Sequence, residues 1–571
     1  MKAAKSHIPL EIPSESDPSF RRVVIGLLVL AEVMLYTPSL VHGLAGYDYV
    51  FRELHSRSLL SLWSTPTDAL GHWRPLSYSV NHVLFSSFGE APFYWHLFNV
   101  LVHLTSVLVF FQILRRLSES SEKRGLIGPM LAAIVFQVHP AAVQNVYWAS
   151  GFSDLLCMLF LLLTTLCSVV MVQKQKTHLI AVAAAFFAAA LLSKESAIVF
   201  PVFLALVLRL TLGSWQSVIK LQGRLLGLLS LLSFLFGVAF IAVSGHVLFQ
   251  QSGLFAGAPG VFLRGFGMLV IPTDAMRLYQ LGADTPLAAV GLGALLVFIF
   301  VLLLRKKLLN LNVTLLFVLT FLAGFAVYAV GGYISLRLMY GSVGFFVLAL
   351  FIVLTRNPWW TNPDLLTQIT RWCVALCVLA TLFLSFSAVM DWHVADKFAK
   401  AIRASFVDFH LAALEKEYVL GAVPSRIRQA EVVGEPGTDF RGELRQDEMS
   451  DSVDMRSLLR IVLLDRDDVS ANVVLLRNSE TSLIVSTQTE NQFFLLGKVD
   501  TPLQLPVGTS FEDGSYTIEV LDTILDSRAV TVKVTVTDPV DLDRLLFYDD
   551  QEREFVPLQG LEPVSQDDPD E

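Results

Sequence analysis

Eleven apolar runs, most of them 15 to 21 residues long, recur along this chain, near 23–41, 93–113, 127–146, 154–172, 178–192, 197–213, 225–245, 286–304, 312–330, 338–355 and 372–390. Each is about the length a helix needs to cross the hydrocarbon core of a bilayer. A lipid-exposed backbone must satisfy its polar groups internally, so runs of this length fold as spanning helices. The predicted class is therefore a polytopic α-helical membrane protein of about eleven spans. Only 16% of the residues are charged and 54% are hydrophobic, well away from the balance of a soluble domain. The first run follows some twenty polar residues and is not followed by a small-residue cleavage site, so it is read as a retained span and not a signal peptide. Cys157, Cys167, Cys373 and Cys377 all lie inside apolar runs, which suggests neither a disulfide framework nor a zinc site.

Charge divides the chain. Residues 1–390 carry 25 Lys and Arg against 15 Asp and Glu, whereas residues 391–571 carry 17 against 36. So acidic a tail argues against nucleic acid as a partner, because phosphates demand basic surfaces. Arg21, Arg22, Arg115, Arg116, Lys123, Arg124, Lys174, Lys176, Lys220, Arg224, Arg305, Lys306 and Lys307 fall in loops on one side, predicted cytoplasmic. The other side then receives loops 42–92, 139–153 and 246–285, the turn at Ser193–Ser196, and the tail. The domains so drawn are a cytoplasmic N-terminus (1–22), a membrane domain (23–390) with a long external loop (42–92), a helix and linker (391–454), an external β-rich soluble domain (455–545) and an acidic tail (546–571). The β-rich assignment rests on short alternating runs such as "SLIVST" and "AVTVKVTVT" separated by turn residues.

Ionisable groups cluster at span ends on the external side, where charge near hydrocarbon must pair or face water. Asp48, in "HGLAGYDYVFREL", reads either as a solvated boundary acid or as a general base for an incoming hydroxyl. Arg74, in "GHWRPLSYSVNHVLF", reads as an interfacial anchor with Trp73 or as a phosphate contact. His96, Asn99 and His103 share one helix face, the usual pattern of hydrogen bonding to neighbouring helices; a metal reading needs more ligands and better spacing. His139, Trp148 and Asp154 lie across a helix–loop–helix junction in "VHPAAVQNVYWASGFSDLL". Lys194 and Glu195, in "LLSKESAIVFP", read either as an adjacent ion pair closing a hairpin or as a phosphate contact through Lys194. Arg337 opens the tenth span in "GGYISLRLMYGS", and a guanidinium at that depth calls for an anion such as a lipid phosphate, which it can grip bidentately.

In order and spacing, "WRPLSYSVNHVLF", "FYWHLFNVLVHLTSVLVFFQILRRL", "VHPAAVQNVYWASGFSDLL", "LLSKESAIVFP" and "LRLMYGSVGF" resemble the tetratricopeptide-containing transmembrane O-mannosyltransferases and their bacterial relatives, within the GT-C superfamily. The likeness covers roughly residues 23–390. It stops at the tail, where strand-like runs stand in place of helical repeats. The resemblance implies a sugar donated from a polyprenyl phosphate to an acceptor hydroxyl at the outer face, with inversion at the anomeric centre. It gives Asp48 the place of the catalytic base, although members commonly carry a second acid where this chain has Tyr49. It gives Arg337 the departing phosphate; Lys194 and Arg74 are further candidates for the donor phosphate, and His139, Trp148, Asp154, Glu195 and His96 for the substrate pocket, from their place on the same external side. No cofactor is called for, since phosphate leaves readily once a base and positive charge are preorganised around it.

The reading is thus a GT-C-like glycosyltransferase whose partners are a polyprenyl-phosphate-linked sugar, a protein or envelope-glycan acceptor, and the bilayer. The rival reading is a non-catalytic assembly scaffold or a lipid-glycan transporter, although a transporter would carry charges nearer the midplane. The external regions hold no glycosylation sequons and no cysteines, which favours a bacterial inner membrane with the C-terminal domain outside the cytoplasm.

Overall fold

The computed structural model describes residues 18–44, 54–65, 72–89, 91–119, 126–248, 336–356 and 381–397, isolated positions between 261 and 379 and at 400, and the strands of the tail with their adjoining turns. Its helices are α1 (Pro18–Tyr36), α2 (Leu59–Ser64), α3 (Pro75–Phe88), α4 (Pro92–Glu119), α5 (Ile127–Val138), α6 (Pro140–Tyr147), α7 (Phe152–Lys174), α8 (Leu179–Ser193), α9 (Phe200–Leu212), α10 (Trp215–Leu248) and α11 (Tyr340–Arg356). Proline opens α1, α3, α4 and α6, where its missing N–H costs nothing and its fixed φ suits a first helical residue. Among the described residues, five helical stretches are long and apolar enough to cross a membrane, or six if α5 and α6 form one bent span. The expected spans near 286–304 and 312–330, and part of that near 372–390, lie outside the described residues, apart from isolated positions, and those near 178–192 and 338–355 form shorter apolar helices, so the described residues do not test the count of eleven.

Helices α4 and α8 both pack against α7, which is buried along most of its length. Outward, α10 exposes Ile219, Leu231, Phe234, Leu235, Val238 and Ile241, and α1 exposes Val23, Leu27, Leu30, Val33 and Met34. Apolar faces this continuous suit hydrocarbon, not water.

The sharpest local feature is the break between α5 and α6, a bend of 51°. Proline disfavours a helical residue before it, and His139 is accordingly extended, at φ −63° and ψ 137°. Its Nδ1 accepts the Ala141 N–H at 3.1 Å, capping the new helix. The break frees carbonyls that no water can reach, and other helices satisfy them. Tyr36 Oη and His103 Nε2 (3.2 Å) donate to the Gln137 carbonyl, and Ser385 Oγ to that of Val138. With His103 Nε2–H so engaged, its Nδ1 accepts from the Tyr340 hydroxyl at 2.8 Å. The loop expected at 139–153 is therefore a wholly buried short helix followed by a 3-10 turn.

Behind this break lies an acid not singled out from the sequence. Glu32, in the middle of α1, is 1% exposed, and its Oε2 accepts from Gln137 Nε2 at 2.7 Å. The same amide also donates to the Leu28 carbonyl at 2.8 Å. Gln137→Leu strands that carboxyl and is expected to cost about 2 kcal/mol of stability. Adding Glu32→Leu is expected to recover at least about 1 kcal/mol as a coupling energy. Unfolding of the four-member mutant cycle in detergent measures it, and strictly additive losses would refute the pairing.

In the tail, β1 (Val473–Ser479), β2 (Ser482–Thr487), β3 (Ser510–Asp513), β4 (Tyr516–Ile524) and β5 (Arg528–Val536) form an antiparallel sheet in the order β1-β2-β5-β4-β3. Val532 pairs with Val485 on one side and Val520 on the other, and all three are buried. Leu483 and Val534 pair and are buried likewise, while the intervening Lys533 is only half-buried. The period of two that marked this region in the sequence thus builds one apolar face.

Candidate functional site

Four helix ends meet at one side of the bundle. Arg74 caps the start of α3, Asp154 lies in the first turn of α7, Lys194 ends α8, and Arg337 begins the 3-10 turn that leads into α11. Lys194 and Glu195, neighbours in sequence, do not pair with each other. Lys194 Nζ donates to Asp154 Oδ1, and Glu195 receives a bidentate grip from Arg74, with Nε at 2.8 Å and Nη2 at 2.7 Å. The reason is local: Lys194 is extended, so the two side chains leave in different directions. Ser77 Oγ donates to the Ser193 carbonyl at 2.9 Å and ties α3 to the same corner.

Burial opposes the charge on Arg74, but the Glu195 carboxylate beside it prevails, and the guanidinium's pKa is raised. For Lys194 the balance is reversed. Burial lowers its pKa, and the opposing field of Asp154 does not fully restore it, partly because Arg74 and Arg337 lie close enough to repel it. These interactions make Arg74, Asp154, Lys194, Glu195 and Arg337 one electrostatic unit, with three basic groups facing two acidic ones.

The excess falls on Arg337. Among the described residues its guanidinium meets no carboxylate; it lies over the Trp148 ring, with Cζ 4.1 Å from the centroid. Its backbone carbonyl accepts from Asn145 Nδ2 at 2.9 Å, so α6 positions both the ring and the arginine's main chain. Trp148 is placed in turn by Asn99, whose Nδ2 donates to its carbonyl at 2.9 Å. Beside the Lys194–Asp154 pair is a cavity of about 50 Å³ lined by Asp154, Cys157, Ser196, Tyr328 and Ser342 and by apolar residues such as Phe203.

The structure therefore brings Arg74, Asp154, Lys194, Glu195, Trp148 and Arg337 together. His139 serves the helix break instead, and its Nε2 has no hydrogen-bond partner among the described residues. His96 is buried at the root of the first loop, with Nε2 3.4 Å from the Gly43 carbonyl. Asp48 lies outside the described residues. Sequence reasoning missed Asn145, which has only an ordinary polar signature within its motif, and Glu32, which a lone acid inside a span should have flagged.

Residues 78–249 match the dolichyl-phosphate-mannose-protein mannosyltransferase family. This interval holds His96, His139, Trp148, Asp154, Lys194 and Glu195, but neither Asp48, Arg74 nor Arg337. Over 104 residues the chain is 32% identical to the protein O-mannosyl-transferase Tmtc1 of Drosophila melanogaster, a stretch of 18% of this chain and 12% of that protein. Crystal structures of ArnT from Cupriavidus metallidurans are also similar. The undecaprenyl phosphate complex gives a TM-score of 0.35 at 13% identity, covering 79% of this chain and 94% of that one. The apo form gives 0.32 at 14%, covering 80% and 96%. Residues 78–249 are thus similar to the dolichyl-phosphate-mannose-protein mannosyltransferases, and the chain's match spans only about an eighth of the length of the curated relative.

Proposed function

We propose that this protein transfers a sugar from a polyprenyl-phosphate donor to an acceptor hydroxyl, on a protein or an envelope glycan, at the external face of a membrane. The single observation that supports this most is Arg337: a cation held over Trp148 without a carboxylate partner among the described residues, in a cluster with an excess of basic groups. The acceptor oxygen attacks the anomeric carbon as Asp48 takes its proton. The carbon–oxygen bond to phosphate breaks, and the departing phosphate carries away the electron pair. Arg337 meets that charge, and Lys194 and Arg74 supply the surrounding field while held by Asp154 and Glu195. Positive charge preorganised where charge develops is the larger part of such catalysis.

The test is purified protein incubated with a panel of polyprenyl-phosphate sugars and hydroxyl acceptors, with Asp48→Asn in parallel. Sugar transfer by the wild type, lost in the variant, is expected. Consumption of no donor by the wild type would overturn the reading, and full turnover by Asp48→Asn would remove the base from it.

A further inference from the structure

Two polar residues on one face of α4, Asn99 and His103, each hold a neighbour of Arg337. Asn99 Nδ2 donates to the Trp148 carbonyl and so sets the ring on which the guanidinium lies. His103 reaches the other neighbour, Tyr340. Arg337 opens the 3-10 turn Arg337–Met339, and the Tyr340 N–H that closes this turn donates to the Arg337 carbonyl. That carbonyl is the one that Asn145 Nδ2 also engages at 2.9 Å. The Tyr340 side chain is 1% exposed, and its hydroxyl donates to His103 Nδ1 at 2.8 Å.

The state of the imidazole follows from its surroundings. His103 is fully buried, and its Nε2–H donates to the Gln137 carbonyl at 3.2 Å, one of those freed by the helix break. Glu32 Oε2 lies 3.9 Å from the same nitrogen, beyond hydrogen-bond length. With the proton on Nε2, Nδ1 is left as an acceptor for the tyrosine hydroxyl. The Tyr340 ring also stacks on Phe136, at 5.3 Å between centroids. Stacking leaves a ring free to slide, whereas a hydrogen bond fixes direction as well as distance.

We propose that His103 is a positioning residue for Arg337, acting through the Tyr340 hydroxyl. The proposal rests on the transfer reaction above, in which Arg337 meets the departing phosphate. The hydroxyl bond holds the residue that closes the turn, and the turn sets where the arginine side chain starts. Misplacement of a catalytic group by an ångström costs on the order of a hundredfold. One face of α4 thus sets both the guanidinium, through His103 and Tyr340, and its aromatic seat, through Asn99.

Activity in two backgrounds tests this on the full-length protein. Tyr340→Phe keeps the ring and removes only the hydroxyl. It is expected to lower kcat by about 10- to 30-fold, with donor KM little changed. In the Arg337→Ala background the same substitution is expected to lower kcat by less than about twofold, because a group that acts through another has nothing left to act on. A further loss there as large as in the wild-type background would overturn the proposal, since the bond would then serve the fold and not the arginine. Unchanged kcat in Tyr340→Phe alone would overturn it as well. His103→Leu is expected to match Tyr340→Phe, and the double variant to lose no more than either. Where one of the two does not fold, the other gives the same readouts. Hydrogen exchange of the residue 340 N–H reports the turn itself and is expected to rise at least about threefold in both variants; no rise would overturn the link between hydroxyl and turn. A wild type without turnover refutes the transfer reaction and with it the positioning role, while exchange still decides whether the hydroxyl holds the turn.

Discussion

Arg337→Ala is expected to lower kcat by about 10²- to 10³-fold, the loss typical of removing one preorganised stabiliser of developing negative charge. The geometry makes this a clean substitution. What α6 grips is the arginine's main-chain carbonyl, through Asn145 Nδ2, and alanine keeps that bond. What disappears is a guanidinium stacked on Trp148. Arg337→Lys is expected to recover only part of the loss, because an ammonium neither stacks as a plane nor offers a fork to phosphate. Trp148→Ala leaves the charge but removes its seat, and an intermediate loss is expected. Steady-state kinetics on folded, detergent-purified variants measure these effects. Turnover of Arg337→Ala within threefold of wild type would show that the leaving phosphate is met elsewhere.

The site was partly legible in the sequence, and its failures have physical causes. The span near 93–113 could be placed from its apolar run and the alternation around Val532 announced a sheet, but the span drawn through 127–146 ran past the break at His139. That Arg74, Asp154, Lys194, Glu195 and Arg337 share one end of the bundle followed from topology alone. Their pairing did not follow. Adjacent Lys194 and Glu195 look like partners in one dimension, yet an extended backbone between two helices sends them to Asp154 and Arg74. The buried system around Glu32 was missed for another reason. Its members come from four segments, α1, α4, α5 and α11, and only the fold brings them together. The bond from the Gly43 N–H to Asp396 lies at the far limit of the same problem, since it joins residues 353 positions apart.

The break at His139 links these parts, because one short helix carries consequences in three directions. The end of α5 just before it is held by Tyr36, His103 and Ser385, its middle holds Arg337 through Asn145, and its end presents Trp148. All eight of its residues are buried against neighbouring elements, the 3-10 turn Ala149–Gly151 at its C-terminal end among them, so it cannot shift without displacing those contacts.

Gly151→Ala is accordingly expected to be among the most damaging single-methyl changes in the protein. Gly151 has φ −66° and ψ −12°, a conformation any residue adopts, so strain of the backbone dihedrals is not the issue. The issue is space. A β-carbon there would sit 2.1 Å from the Asn145 carbonyl oxygen and 2.8 Å from its carbon. A flexible side chain could swing away from such a contact, but a main-chain carbonyl moves only if α6 moves. That displacement would pull Asn145 from Arg337 and shift Trp148 beneath the guanidinium. Overpacking of this kind costs about 3 kcal/mol, and the loss of turnover measured below the unfolding transition is expected to exceed tenfold. Gly227→Ala supplies the control. It lies inside α10 with nothing within 4 Å of the added carbon, so a gain of about 0.5–1 kcal/mol is expected there from helix propensity. Thermal unfolding of both variants in detergent, with turnover assayed at a temperature where each is folded, separates the two effects. Equal stability in the two would mean that the junction after α6 yields far more readily than its buried contacts imply.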